Sequence, residues 1–325
     1  MLDQIYLFVF GLLMLIKGGD MFVDGATAIA RRFHLPELLI GATVVSIGTT
    51  LPEVMVSATS AAQGIGGIAY GNAIGSIICN TALIAAVTIA VKPGKAERRS
   101  LILPVAFFFG SAVFYALTAY IGGTFTRVTG IVLLVIFASY MTVTVLQMKR
   151  TPTEALEIAE DAGEAEALPP IWKSLISLVL GAALIALGAD LLVDNGTLIA
   201  TALGVPDTVI ALTFVALGTS LPELVTAITS LAKGHGALSL GNIIGANLFN
   251  LVLVSGISTV IKPFDVPSGS TIGGINASLV LDIPVMFAVM LILTVPALIR
   301  GKMSRVQGIG LLAIYAAFCT IQFVM

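Results

Sequence analysis

Charge is what this sequence has least of. Only 10% of its 325 residues are Asp, Glu, Lys or Arg, against 58% hydrophobic residues, where a soluble domain carries about 25% charged residues. The mean hydropathy is +1.06. An ordinary water-soluble domain is excluded, and so is disorder, which needs the opposite balance. A formal net charge of −2 gives no strongly basic face for a nucleic acid. Cysteine is nearly absent: Cys79 and Cys319 make no disulfide framework and sit in no zinc-like spacing. The two histidines, His34 and His235, fall in loops and read as solvated. No nucleophile–base or metal–histidine constellation appears, so the chain is not read as an enzyme and needs no cofactor.

What is present is a series of long apolar runs, each near the length that a bilayer core of about 30 Å requires. They predict about ten membrane helices, over 2–30, 38–61, 66–90, 101–122, 126–148, 171–200, 206–231, 237–260, 273–299 and 305–325. The first run has no basic leader or small-residue cleavage site, and Lys17, Asp20 and Asp24 follow it, so it reads as a span rather than a signal peptide. Of the 16 Lys and Arg residues, thirteen fall on one alternate set of loops and two, Arg127 and Lys262, on the other. Basic loops stay in the cytoplasm, so both termini are expected outside a cell membrane. The one sizeable polar segment, 151–170, carries Glu154, Glu157, Glu160, Asp161, Glu164 and Glu166 before Pro169 and Pro170. It reads as a solvated acidic cytoplasmic linker rather than a regulatory cation site.

The chain repeats itself. Residues 41–80 and 211–250 align without a gap at an offset of 170, so that Gly48-Thr49-Thr50-Leu51-Pro52-Glu53 meets Gly218-Thr219-Ser220-Leu221-Pro222-Glu223. Gly18, Asp20 and Asp24 meet Gly188, Asp190 and Asp194 in the same register. After an insertion, Arg127, Val128 and Gly130 meet Arg305, Val306 and Gly308. Two halves of five spans each must lie inverted in the membrane, because five is odd. The prediction is an all-α membrane protein of about ten transmembrane helices in two inverted five-helix repeats, 1–150 and 171–325. Inverted repeats with interrupted helices and a midplane site mark secondary transporters.

Six acids lie within predicted spans: Asp20, Asp24, Glu53, Asp190, Asp194 and Glu223. A charge at mid-bilayer costs at least about 2.5–3.5 kcal/mol, so each asks for a function. For the four aspartates a structural contact between helices, or with Lys17, serves equally well. Pro52 and Pro222 each remove one helical N–H and crowd the carbonyl four residues back, which predicts helix breaks with free carbonyls near 46–49 and 216–219. Ser46, Thr49, Thr50 and Glu53 share one helix face, and Ala216, Thr219, Ser220 and Glu223 repeat it. Asn72, Ser76 and Asn80 make a stripe on the next span, as do Asn242, Ala246 and Asn250. Carbonyls, hydroxyls, amides and carboxylates form an oxygen cage, which suits hard cations such as Ca²⁺ or Na⁺ rather than soft metals. Cys79 stands beside the stripe and reads as core.

These segments closely resemble the repeats of the sodium/calcium exchanger family, within the cation/Ca²⁺ exchanger superfamily, and the resemblance spans essentially the whole chain. It implies exchange of several Na⁺ for one Ca²⁺ by alternating access, the first and sixth helices moving against the rest. Carried over by motif position, it implies that Glu53 and Glu223 are the shared carboxylates. Thr49, Thr50, Thr219 and Ser220 would supply hydroxyl or carbonyl oxygens and Ser46 and Ala216 main-chain oxygens; Ser76, Asn80 and Asn250 would complete the set. The chain departs from the pattern at Thr50 (usually Ser), Ile77 (commonly Asn, kept at Asn247) and Ala246 (Ser). Asn250 stands where potassium-dependent members tend to carry Asp. Gly75 and Gly245 stand where the proton-coupled branch has Glu. The expected partners are Ca²⁺, Na⁺ and the lipid bilayer, with no nucleic acid and no obligate protein partner. A proton/Ca²⁺ antiporter using the same two glutamates is the alternative within transport, and an ion channel the alternative outside it.

Overall fold

In the computed structural model the described residues are 2–150, 169–203, 218–269 and 271–324. The helices are α1 (Leu2–Arg32), α2 (Glu37–Ala62), α3 (Gly66–Val91), α4 (Arg98–Gly122), α5 (Arg127–Arg150), α6 (Ile171–Ala202), α7 (Leu221–Ala232), α8 (Gly236–Ile261), α9 (Ser278–Arg300) and α10 (Arg305–Val324). Among the described residues nine of them are long and apolar enough to cross a membrane. The seventh predicted span, 206–231, is described only from residue 218, where it contributes the short apolar helix α7. The protein is an all-α membrane protein in which large aliphatic and aromatic side chains such as Leu2, Tyr6, Leu13, Leu180 and Val306 face outward, as they must against lipid. The predicted acidic segment 151–168 lies outside the described residues.

α8 and α3 form the centre. Within their most apolar stretches 83% and 72% of residues are buried, against 28% for α1 and α6 and 17% for α10. Burial on all sides explains why α3 and α8 carry small and apolar residues around their whole circumference rather than on one stripe.

Inversion of the repeats is visible in matched contacts. Lys95 pairs with Lys302 in an antiparallel bridge, flanked by Ala96 N–H to Gly301 O at 2.9 Å and Met303 N–H to Gly94 O at 3.0 Å. The repeat offset sends these positions to Asp265, Thr124, Val266, Gly123, Phe125 and Phe264. There β1 (Thr124–Phe125) pairs with β2 (Phe264–Asp265) in the matching register, and Val266 N–H donates to Gly123 O at 2.9 Å. Gly123 and Gly301 share a left-handed φ, +65° and +63°, which lets each end its helix. Along the helices, Gly130 of α5 lies against Gly256 and Val260 of α8, while Gly308 of α10 lies against Ala86 and Ala90 of α3. The insertion that separates the two registers is a hairpin, β3 (Thr271–Ile272) with β4 (Ile275–Asn276), turning on Gly273 and Gly274.

α1 and α6 cross on the pseudo-twofold axis as an antiparallel pair. A Cβ at Gly18 would sit 2.9 Å from the Gly181 carbonyl oxygen, and one at Gly188 would sit 2.8 Å from that of Gly11. Gly11 and Gly181 are repeat equivalents, as are Gly18 and Gly188, so each contact is the image of the other. Small residues at such positions let membrane helices approach closely.

Candidate functional site

The two prolines act differently in the two halves. α2 runs unbroken through Pro52, and the predicted break there is absent. The irregularity lies upstream, in a π-helical turn over Gly41–Val45. A π turn weakens the regular carbonyl ladder; here the Ser46 hydroxyl donates to Gly41 O at 2.7 Å and the Tyr140 hydroxyl to Ala42 O at 2.9 Å. Neighbouring side chains of this kind make irregular backbone tolerable at membrane depth. In the second half the break is present: Thr219 and Ser220 form a turn and α7 begins at Leu221. Pro222 then lies in the first helical turn, where a missing N–H leaves nothing unmade. Ala216 lies outside the described residues.

Two more π turns begin at the predicted asparagines, over Asn80–Ala85 in α3 and Asn250–Val254 in α8. Such turns recur at functional positions because they re-aim side chains. Neither was readable from the stripe spacing.

Glu53 and Glu223 come together in the middle of the molecule. Both are 0% exposed, and their carboxylates lie within electrostatic range of each other. Neither carboxylate has a hydrogen-bond partner. Thr50, Ser220, Asn80 and Asn250 are also fully buried or nearly so, with side-chain oxygens or amides that nothing partners. Ser220 precedes α7 at the N-cap position without making the usual cap bond, so its hydroxyl is free to point elsewhere. Among the described residues, of eighteen buried, unpartnered side-chain polar atoms ten belong to Thr50, Glu53, Asn80, Ser220, Glu223 and Asn250. Elsewhere buried polar groups are bonded as a rule. Ser46 and Ser76 are buried and Thr219 is half-buried. Among the described residues no three His, Cys, Asp or Glu side chains gather. A cation held here takes most of its oxygens from hydroxyls, amides and main chain.

A family model described as sodium/calcium exchanger protein matches residues 4–146 and 173–324. The chain belongs to the sodium/calcium exchanger family. It is similar to the putative antiporter CaxA of Alkalimonas amylolytica, 34% identical over 319 residues, which cover 97% of this chain and 96% of that protein. It is similar to the sodium/calcium exchanger MaX1 of Methanosarcina acetivorans, 32% identical over 346 residues and 96% of each chain. Among solved structures it matches the sodium-calcium exchanger NCX_Mj soaked with 2.5 mM Na⁺ and 0.1 mM Ca²⁺, at a TM-score of 0.79 and 30% identity, covering 98% of this chain and 97% of that one. Like the exchangers it is a membrane transporter and not an enzyme.

Two sequence-based expectations are corrected around this exchanger core. The partner of Asp20 and Asp24 is Lys233, not Lys17: its ammonium lies 3.2 Å from Asp20 Oδ1 and 2.7 Å from Asp24 Oδ1. Lys233 follows α7 in sequence, so only folding reveals the pair. His235 is not merely solvated, since its Nδ1 lies 2.7 Å from Glu37 Oε1, tying the start of α8 to the start of α2. Cys79 is buried in the core, as expected. Asn242, which the stripe contains but the ligand set omits, joins the halves: its side-chain carbonyl accepts from Thr49 at 3.1 Å and from Ser46 at 3.3 Å.

Proposed function

We propose that this protein exchanges Na⁺ for Ca²⁺ across a cell membrane by alternating access, the two ions competing for one oxygen cluster built on Glu53 and Glu223. The observation that carries this reading is the concentration of buried, unpartnered polar atoms on residues of the duplicated motifs. Buried carboxylates without partners cost several kcal/mol each, and a cation as cargo supplies the missing partner. Thr49, Thr50, Thr219, Ser220, Ser76, Asn80 and Asn250 are the supporting ligands, with main-chain oxygens from Ser46 and Ala216. Two carboxylates balance one Ca²⁺, so a loaded cluster is neutral and can be enclosed, while an empty one keeps two bare charges and resists enclosure. That difference enforces exchange over leak.

The moving part is the α1–α6 pair, whose glycine crossing gives a smooth contact. The functional units are the repeats 1–150 and 171–325 with the acidic segment 151–170 between them in the cytoplasm. Both termini face outward, a reading supported by Lys92, Lys95, Arg98, Arg99, Arg300 and Lys302 near one end of the molecule and the positive-inside rule.

The test is ⁴⁵Ca uptake into vesicles with Na⁺, K⁺ or H⁺ gradients imposed singly. A Na⁺ gradient at clamped pH is expected to drive uptake, and Glu53→Gln to abolish it. Uptake driven by a proton gradient alone would replace Na⁺ coupling with proton coupling. Full Na⁺-driven uptake by Glu53→Gln would remove the carboxylate from the mechanism.

A further inference from the structure

A buried serine or threonine in a helix has a ready acceptor, the carbonyl of the preceding turn. This protein uses it widely: Thr43 donates to Leu39 O at 2.7 Å, Thr81 to Ile77 O at 2.7 Å, Thr144 to Tyr140 O at 2.8 Å, Ser258 to Val254 O at 2.8 Å and Thr294 to Met290 O at 2.6 Å. Thr226 and Ser230 of α7 depart from that rule, as Thr259 of α8 does, and these two lie on the same helix as Glu223. Both are 0% exposed, and neither hydroxyl has any partner. They follow Glu223 at helical spacing of three and then four, so the three side chains share one face of α7. The face runs from the central carboxylate to the end of α7, where Lys233 meets Asp20 and Asp24.

The arrangement is one-sided. The repeat equivalent of Thr226 is Val56, a 40% exposed aliphatic side chain. The equivalent of Ala227 is Ser57, whose hydroxyl accepts from Asn72 at 2.8 Å. On the α2 counterpart of this face Val56 stands with Ser60, the half-buried equivalent of Ser230, whereas the α7 face carries two fully buried, unpartnered hydroxyls. A hydroxyl presents two lone pairs, and a cation leaving water needs successive oxygens to replace its hydration shell. The mouth holds two carboxylates against one ammonium, a sign that gathers cations.

We infer that Thr226 and Ser230 form a transit lane for a hard cation between the Glu223 carboxylate and the Lys233 end of the protein. The lane rests on the exchange reading above and adds to it the route on one side of the membrane. Its residues set how fast the ion moves, not how tightly the centre holds it.

The experiment compares the wild type with Thr226→Val/Ser230→Ala in proteoliposomes, reading Ca²⁺/Ca²⁺ exchange rate, and in detergent, reading equilibrium ⁴⁵Ca binding. The exchange rate is expected to fall about tenfold, the scale of a lost partner to a charged group, with binding affinity within about twofold. Thr226→Ser, which keeps the hydroxyl, is expected to exchange like the wild type. An unchanged rate in the double variant, or a rate and an affinity that fall together, overturns the lane. Should the double variant not fold, Ser230→Cys with a cationic thiol reagent decides: labelling from the Lys233 side, slowed by Ca²⁺, supports the lane, and no labelling from either side overturns it. A wild type without Ca²⁺ exchange would instead overturn the antiport reading, before any variant is compared.

Discussion

Asn242 reaches across the boundary between the repeats to accept the Thr49 hydroxyl at 3.1 Å, whereas its repeat equivalent Asn72 stays at home, donating to Glu53 O at 3.2 Å and Ser57 Oγ at 2.8 Å. The difference has a cause in the sequence. Ser57 is replaced by Ala227 in the second half, so the Asn242 amide loses the acceptor that holds Asn72, and its Nδ2 is unpartnered. Asn242 is left to serve the other repeat through its carbonyl. Replacing it by alanine strips an acceptor from Thr49 and Ser46 inside a fully buried interface, a loss of about 1–3 kcal/mol. A lowered thermal unfolding midpoint of Asn242→Ala in detergent, and a smaller change for half-buried Asn72→Ala, is the expected result. Equal midpoints would show that the bridge is energetically silent.

The paired glycines of α3 and α8 make a sharper contrast. A Cβ at Gly241 would collide with the Leu38 carbonyl, and one at Gly245 with the Ser46 hydroxyl and, at 2.6 Å, the Ala42 backbone. Their equivalents Gly71 and Gly75 face open space. Overpacking costs about 1–3 kcal/mol and more when backbone must move. Gly241→Ala and Gly245→Ala are therefore expected to fold poorly or lose transport, and Gly71→Ala and Gly75→Ala to express and transport like the parent. Expression with fluorescence-detected size exclusion, followed by uptake, reads both. Matched behaviour across each pair would mean that the close packing on α8 is not what those glycines serve.

This contrast marks where the sequence stops being readable. The duplication at a fixed offset predicts the architecture, because polar residues repeated inside apolar runs constrain both halves alike. Lys95–Lys302 and Thr124–Asp265 are pairings of that kind. The same symmetry hides what distinguishes the halves. Pro52 and Pro222 look identical in sequence, yet one lies inside a helix and the other at a helix start, because local motif does not say which neighbours crowd each copy. The π turns at Asn80 and Asn250 leave no pattern either, since they arise from packing around a centre rather than from residue propensity. Lys233 could not be matched with Asp20 and Asp24 by spacing, because the pair joins α1 to a turn more than two hundred residues away.

The cluster makes a prediction about stability as well as transport. A ligand that binds only the folded state stabilises it by mass action, about 2.7 kcal/mol at a concentration one hundred times its dissociation constant. Saturating Ca²⁺ is expected to raise the unfolding temperature of the purified wild type. Glu53→Gln and Glu223→Gln are each expected to abolish that rise, since one remaining carboxylate leaves Ca²⁺ half-neutralised. Both variants should melt no lower than the wild type without Ca²⁺, because each removes a buried charge that has no partner. A Ca²⁺-dependent rise that survives both substitutions would place binding elsewhere.

Lys233 supplies a pH dependence with a definite sign. Partial desolvation works against its ammonium, but hydrogen bonds and charge from Asp24 and Asp20 outweigh it and raise its pKa above the ordinary value of 10.5. A group with a raised pKa contributes stability that is complete below its unfolded value and is lost as pH climbs through its folded value. The link between α1 and the end of α7 should therefore hold throughout the neutral range and fail only in strongly alkaline solution. Exposure of the pair keeps the contribution within about 1 kcal/mol and sensitive to salt. In Lys233→Gln the unfolding midpoint is expected to drop slightly at neutral pH and low salt, and the gap from wild type to close as the pH passes above the ordinary lysine value. Thermal unfolding across pH 7 to 12 (about the range that brackets a lysine) measures it. A gap that widens with rising pH would mean that Lys233 is held by something other than these two carboxylates.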